Sequence, residues 1–377
     1  MRRFLTVSLA LAGLALAPAA AQLRNVTINA ESEEGKLLQQ AGEESDAAKK
    51  IGLLEQFLAK FAAHDAAGYV HLQLLAAYLG ANNFDKAIEH GTAAQKKAPD
   101  DMELAHLLVK SAEGKGHAET LAANVERTHA LAEKAKAALK PADSDEAEAW
   151  KRSVEFATQV QQYNQHALFS TIVKQTAPQG KVLLLDTLRK LYAGGQFDKN
   201  IDAQYVVAYQ QLGQHDKMTQ AAEAALVHES DNEAYLFLVG DSLVDPAKGK
   251  LAQAQAYGQK IVDTLPNKPK PAGISDEQWT EHKNTYLGLG RSLLGRALAN
   301  QEKHAPAHKE LLAAVAALKG NNAALAPVYF FLGFSSAKLN RPRDAVTYLG
   351  LASKMPGPYQ AAAADMLKKV QAALSGR

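Results

Sequence analysis

Cysteine is absent from this chain. Its absence excludes disulfides, thiolate metal sites and a cysteine nucleophile. An excess of either charge is lacking too: 42 Lys and Arg stand against 40 Asp and Glu, a formal net charge of +2. That balance argues against nucleic acid or an anionic membrane as the main partner. Alternating runs of Thr, Val and Ile are scarce, which leaves few candidate strands. No G-x-S-x-G, H-E-x-x-H or P-loop pattern occurs, so three common catalytic signatures are missing. The chain is read as non-enzymatic, with no cofactor and no metal.

What is present is a helix-forming composition. Ala, Leu, Gln, Lys and Glu dominate, hydrophobic residues make up 47% and charged residues 22% of the 377 residues. These are good helix formers in a soluble-protein ratio. The N-terminus stands apart. Arg2 and Arg3 precede an uncharged apolar run, Phe4 to Ala17, and Ala19-Ala20-Ala21 offers a small-residue cleavage site before Gln22. This pattern predicts a secretory signal peptide over 1–21. The run is too short for a membrane anchor, which needs ~20 residues. Cleavage would leave 40 charges of each sign. Without a cysteine at the cut the product is not a lipoprotein. The expectation is a periplasmic or secreted bacterial protein with no membrane span after cleavage. Residues 22–30 read as a flexible, unpacked leader.

The remaining chain repeats itself. Tyr329-x2-Leu332-Gly333-x2-Ser336 is followed by Ala345-x3-Leu349-x2-Ala352 and Pro356. His71-x2-Leu74-Leu75-x2-Tyr78 is followed by Ala87, Gly91, Ala94 and Pro99. Further first helices fit at Leu236-x2-Val239-Gly240, at Tyr205-Val206-x2-Tyr209, at Tyr286-x2-Leu289-Gly290 and, loosely, at Ala105-x2-Leu108-Val109-x2-Ala112. This resembles the tetratricopeptide repeat, TPR, whose pattern is W-x2-L-G-x2-Y, then A-x3-F, then P over 34 residues. Departures are Tyr for Trp, Ser336 for Tyr, Leu349 for Phe, and Pro356 one residue early.

The resemblance implies an all-α fold: an α-solenoid of antiparallel helix pairs in a right-handed superhelix, with irregular repeats and a C-terminal capping helix. Clear units are expected at about 68–101, 199–232, 233–266, 283–325 and 326–358, a divergent helical region at 120–193, and the cap at 359–374. Residues 31–377 are read as one continuous array with a bend near 141–200; two lobes are the alternative. Residues 266–271, PNKPKP, read as a stiff exposed loop. Tyr78, Ala87, Ala94, Gly240, Gly290, Leu332, Gly333, Ala345 and Ala352 are the expected packing positions. A mid-helix glycine costs ~1 kcal/mol against alanine, so Gly240, Gly290 and Gly333 should each be compensated by the close approach of a neighbouring helix.

Candidate chemistry is sparse. Gly288-x-Gly290 reads as helix packing. His304 and His308 are four apart, but Pro306 lies between them and no third ligand is evident, so they read as surface or capping groups. His71, where the family has Trp, reads as a partly buried, hydrogen-bonded histidine. Function follows from the resemblance alone. It implies a protein–protein interaction scaffold of the cell envelope, holding a peptide or partner protein in a groove lined by first helices. The candidate groove residues are Gln73, Ala77, Gln204, Ala208, Gln211, Tyr235, Asp241, Tyr329 and Ser335. The alternatives are an accessory subunit of an envelope assembly or export system, or a small-ligand or catalytic site within 120–193.

Overall fold

The computed structural model describes residues 4–6, 23 and 26–375 of the chain. The signal-peptide expectation falls outside these residues except for Phe4–Thr6. That short strand, β1, pairs antiparallel with β2 (Thr27–Asn29). The other regular structure is helical, with seventeen α-helices among the described residues. None is long and apolar enough to cross a membrane. The chain divides into two compact units between Gln204 and Tyr205, where the sequence reading favoured a single array.

The first unit contains α1 (Glu33–Glu43), α2 (Ala47–Phe61), α3 (Ala67–Gly80), α4 (Phe84–Lys97), α5 (Met102–Lys115), α6 (Ala118–Ala137), α7 (Ser144–Lys174) and α8 (Pro178–Tyr192). Side-chain caps start most of them. Ser32, Asp46, Asn83, Asp101 and Asp143 each accept from a backbone N–H in the first turn, where donors lack helical partners. The core at its N-terminal end joins Leu37, Leu38, Leu54, Phe57, Val70, Leu74 and Leu75. Leu23 and Ile28 are buried in the same core. This differs from the unpacked leader expected over 22–30: two apolar side chains there have a hydrophobic surface to cover, and a β-carbon at Gly68 would lie 2.7 Å from Leu23 Cδ2.

The helix α9 (Asp198–Gln211) carries the division. The second unit continues with α10 (His215–Ala225), α11 (Glu233–Leu243), α12 (Leu251–Thr264), α13 (Asp276–Asn300), α14 (His304–Ala317), α15 (Asn322–Lys338), α16 (Pro342–Ala352) and α17 (Gln360–Ser375). Ser275 and Gln278 form a reciprocal capping box at the start of α13. Within this unit α11, α13 and α15 lie side by side as well as packing on their chain neighbours. The stretch 266–271 is less free than expected. Lys268 Nζ bonds the Asp231 carbonyl at 2.8 Å and Glu233 Oε2 at 2.7 Å, and Lys270 pairs with Asp276 at 2.5 Å.

One turn geometry recurs and fixes the repeat register. In five hairpins a residue with positive φ ends the first helix: Asn82, Gly116, Gly213, Glu302 and Asn340. The next residue donates its N–H five positions back, to the carbonyls of Tyr78, Ala112, Tyr209, Leu298 and Ser336, at 2.9–3.0 Å. This is the bond that closes a helix through a left-handed residue. Three residues before each acceptor stand Leu75, Val109, Val206, Gly295 and Gly333.

Gly295, not Gly290, therefore occupies the position of Gly333 in its pair. The contacts agree. A β-carbon at Gly333 would lie 2.5 Å from Leu349 Cγ on its own partner helix, and one at Gly295 would lie 2.6 Å from Leu311 Cγ on its own. Gly290 is buried and closely approached, but from the preceding helix: a β-carbon there would lie 2.7 Å from Ile261 Cγ2. At Gly240 the nearest atom would be Leu293 Cδ2, 2.4 Å away. Tyr78, Ala87, Ala94, Leu332, Ala345 and Ala352 are buried too.

Candidate functional site

The closely approached glycines Gly240, Gly295 and Gly333 mark one small position in three helices of the second unit. The residue just past the small position is Asp241 on α11, Arg296 on α13 and Phe334 on α15. These three neighbours lie in adjacent helices. Arg296 Nη1 donates to Asp241 Oδ1 at 2.5 Å, and Arg296 Nη2 to the Tyr359 hydroxyl at 3.3 Å. The guanidinium carbon lies 5.8 Å from the centre of the Phe331 ring. Phe330, Phe331 and Tyr359 pack ring against ring, with centroids 5.1–5.7 Å apart. Lys338 Nζ lies 5.9 Å from the Phe334 ring centre.

Burial is uneven across this group. The Arg296 side chain is 6% exposed and that of Asp241 is 44% exposed. The Arg296 Nε has no hydrogen-bond partner among the described residues. A buried guanidinium is stable only when paired, so Asp241 and Tyr359 hold the arginine. Asp241 in turn keeps part of its carboxylate open to a ligand. The result is a polar pair beside an aromatic shelf, half open, on the first-helix side of the second unit.

The candidate groove residues distribute unevenly. Ala208 and Ser335 are fully buried, which removes them from any groove. Each lies two residues past the small position, so one slip in helix phase separates them from the open face. Asp241 lies on that face. Gln73, Ala77, Gln204, Tyr235 and Tyr329 are half-buried and Gln211 is exposed. Sequence reasoning missed Arg296 and Phe334. The signal was present in Arg291-x2-Leu294-Gly295-x2-Leu298 followed by Ala307, Leu311 and Ala314, but Tyr286-x2-Leu289-Gly290 matched the pattern as well.

The histidine pair on α14 is split. His304 meets the edge of Phe334, while His308 meets Tyr348 and lies 3.5 Å from Ser336 Oγ. His308 is buried rather than solvated, because it shares the inward face with Ala307 and Leu311. Among the described residues no group of three or more His, Asp or Glu side chains is arranged to hold a metal.

The divergent region has its own polar seam. Glu113 on α5 accepts from Tyr163 Oη at 2.5 Å and from Ser170 Oγ at 2.7 Å, both on α7. Burial and the adjacent Glu113 carboxylate push the Tyr163 hydroxyl well above the usual tyrosine range. Asn164 Nδ2 donates to Thr128 Oγ1 at 2.8 Å and to Tyr192 Oη at 3.2 Å. Nearby is an open depression of about 530 Å³ lined by Lys110, Glu113, Lys115, Thr171, Lys174 and Gln175. Lys115 and Lys174 end α5 and α7, where the helix dipole favours cations without any ligand.

The fold is all-α, built of helices that pack on their chain neighbours. No family model matches the chain, and no curated protein matches it. Among solved structures the chain is similar to the TPR domain of P58(IPK), at 12% identity over 92% of this chain and 99% of that one, with a TM-score of 0.31. It is also similar to yeast Tom70, at 10% identity over 91% and 95% of the two chains, with a TM-score of 0.20.

Proposed function

We propose that the chain is a non-catalytic scaffold that binds a peptide or protein partner on the first-helix side of its helix pairs. The observation that supports this is the half-exposed group of Asp241, Phe334 and Tyr359, held in place by the buried Arg296 and Phe331. Aromatic side chains are enriched among the groups that carry interface energy, and a half-exposed carboxylate beside them orients a polar group of the partner. TPR-like helix pairs present such side chains from rigid elements, so little ordering entropy opposes binding.

The reading extends to location. The N-terminal pattern of Arg2, Arg3, an apolar run and Ala19-Ala20-Ala21 supports export to the cell envelope, with cleavage after Ala21. Cleavage would also remove β1, leaving β2 and Ile28 to be held by the helices.

Peptide phage display against residues 22–377 tests the binding reading. Selection should converge on a common peptide motif. Asp241→Ala and Phe334→Ala, each verified as folded, should weaken that peptide tenfold or more. Failure to enrich any motif, or a motif indifferent to both substitutions, would contradict the proposal.

A further inference from the structure

The first unit contains a histidine pair that the binding reading leaves unused. His71 on α3 and His90 on α4 meet Nδ1 to Nδ1 at 3.0 Å. Such a contact is a hydrogen bond only if one Nδ1 carries a proton and the other does not. His90 is buried, and its Nε2 has no hydrogen-bond partner among the described residues. The cheaper arrangement therefore has His90 Nδ1 donating to His71 Nδ1. That leaves a bare lone pair at the buried His90 Nε2 rather than a stranded N–H. On its far side His90 stacks on Tyr78, with the rings 6° from parallel and 5.6 Å apart. Tyr78 Oη donates to Glu55 Oε1 on α2 at 2.5 Å. One chain of contacts thus ties α2, α3 and α4 through the imidazole pair.

We propose that the His71–His90 pair is an acid-sensitive latch between α3 and α4. With both rings neutral the latch is closed. A first extra proton must enter at the buried His90 Nε2. A second would place two N–H groups against each other across 3.0 Å, and the bond must break. The charged groups around the pair are few. Glu89 on α4 favours protonation of both rings, Glu55 on α2 favours it at His90, and Lys86 on α4 opposes it. Glu89 is already paired with Lys86 at 2.9 Å. On its other side α4 meets α5 through Gly91 and Leu108, an apolar contact. Burial is the largest effect on each ring and holds both below the ordinary histidine range.

The sign follows. Depressed values in the folded state mean that the opened segment binds more protons than the closed one. Stability from the latch is present above pH ~6.5 and is lost as the pH falls through the folded values. The consequence is acid-triggered opening of the first helix pair, which exposes Leu74, Leu75 and Ala94.

Amide hydrogen exchange of the full chain between pH 7.5 and 5.0, corrected for intrinsic rates, tests the latch. Opening within residues 67–97 should increase about tenfold per pH unit below pH 6.5 for each proton taken up. His71→Gln removes one of the two protons, so that dependence should become shallower while the exchange pattern of the second unit is retained. Exchange in 67–97 that does not vary with pH, or an acid response unchanged in His71→Gln, would overturn the proposal. Should the variant not fold, NMR titration of the unaltered chain decides. The latch requires both imidazoles to titrate below the ordinary histidine range with mutual coupling; two independent titrations near 6.5 would overturn it.

Discussion

Gly258 on α12 and Gly290 on α13 face each other across a helix contact with no room for a side chain. A β-carbon at Gly258 would lie 2.9 Å from the Gly290 carbonyl oxygen and 2.8 Å from the Leu294 nitrogen. Both obstacles are backbone, so neither can rotate away. Gly258→Ala should therefore destabilise the second unit by about 1–3 kcal/mol, seen as a lower urea midpoint. Gly52 lies mid-helix in α2 with nothing within 4 Å of its would-be β-carbon. Gly52→Ala should raise stability by roughly 0.5–1 kcal/mol. Two glycine-to-alanine changes of opposite sign, in one protein, separate packing glycines from incidental ones.

The Arg296–Asp241 pair carries an asymmetric cost. Asp241→Ala strands a buried guanidinium, whereas Arg296→Met replaces it with an apolar side chain of similar length among Phe331 and Tyr359. Removing a partner from a buried charge costs more than removing the charge itself. Asp241→Ala should be the more destabilising change, by about 1–2 kcal/mol after allowing for the exposure of the carboxylate. Denaturant unfolding of the two variants measures the difference.

His106 gives the first unit an acid limit of its own. It is buried edge-on against Phe156 and Tyr163. Burial, with Lys110 adding to it, pushes its pKa down to about 4. A depressed value means that stability is present above pH ~6.5 and is lost as the pH falls towards 4. His106→Phe should remove roughly 2–4 kcal/mol of the pH dependence over that window. Urea unfolding at pH 7 and at pH 4.5 checks it. An unchanged slope of stability against pH would count against a neutral, buried His106.

Glu233 behaves in the opposite way to a simple buried carboxylate. Burial by itself would raise its pKa, but hydrogen bonds from Lys268 and from His282, at 2.7 and 2.6 Å, outweigh that and hold it below the ordinary range. Its contribution is present above pH ~4.5 and is lost as the pH falls below that. Glu233→Gln should release residues 266–271, read as faster proteolysis within the segment 265–275.

The helix pairs were legible in the sequence because they rest on local rules. Small residues, turn residues and a terminal proline recur with the right spacing, and Gly240 and Gly333 lie in helix contacts as that spacing requires. The register of α13 was not legible. Gly288, Gly290 and Gly295 all sit in one helix and all are closely approached; the Lys303-to-Leu298 backbone bond and the contact with Leu311 show which one repeats. The open face was legible only in part, since Asp241 differs from Ser335 by one step of helix phase. The seam of Glu113, Tyr163, Asn164 and Thr128 left no mark in the sequence. Its partners stand 36 to 50 residues apart at spacings no motif describes. The burial of Leu23 and Ile28 depends on tertiary contacts that a short apolar segment does not announce.

The account depends on helices packed to contact at the small-residue positions, and a double-mutant cycle at Gly333 and Leu349 measures that contact. A β-carbon at Gly333 would meet Leu349 Cγ and Cδ2 at 2.5 and 2.9 Å. Gly333→Ala should destabilise the second unit in the presence of Leu349, and Leu349→Ala should do so by opening a cavity. The double substitution is expected to cost less than the two single changes together, by about 0.5–3 kcal/mol of coupling. Strictly additive costs would contradict the contact, and with it the helix-pair packing on which the open face of Asp241, Arg296 and Phe334 rests.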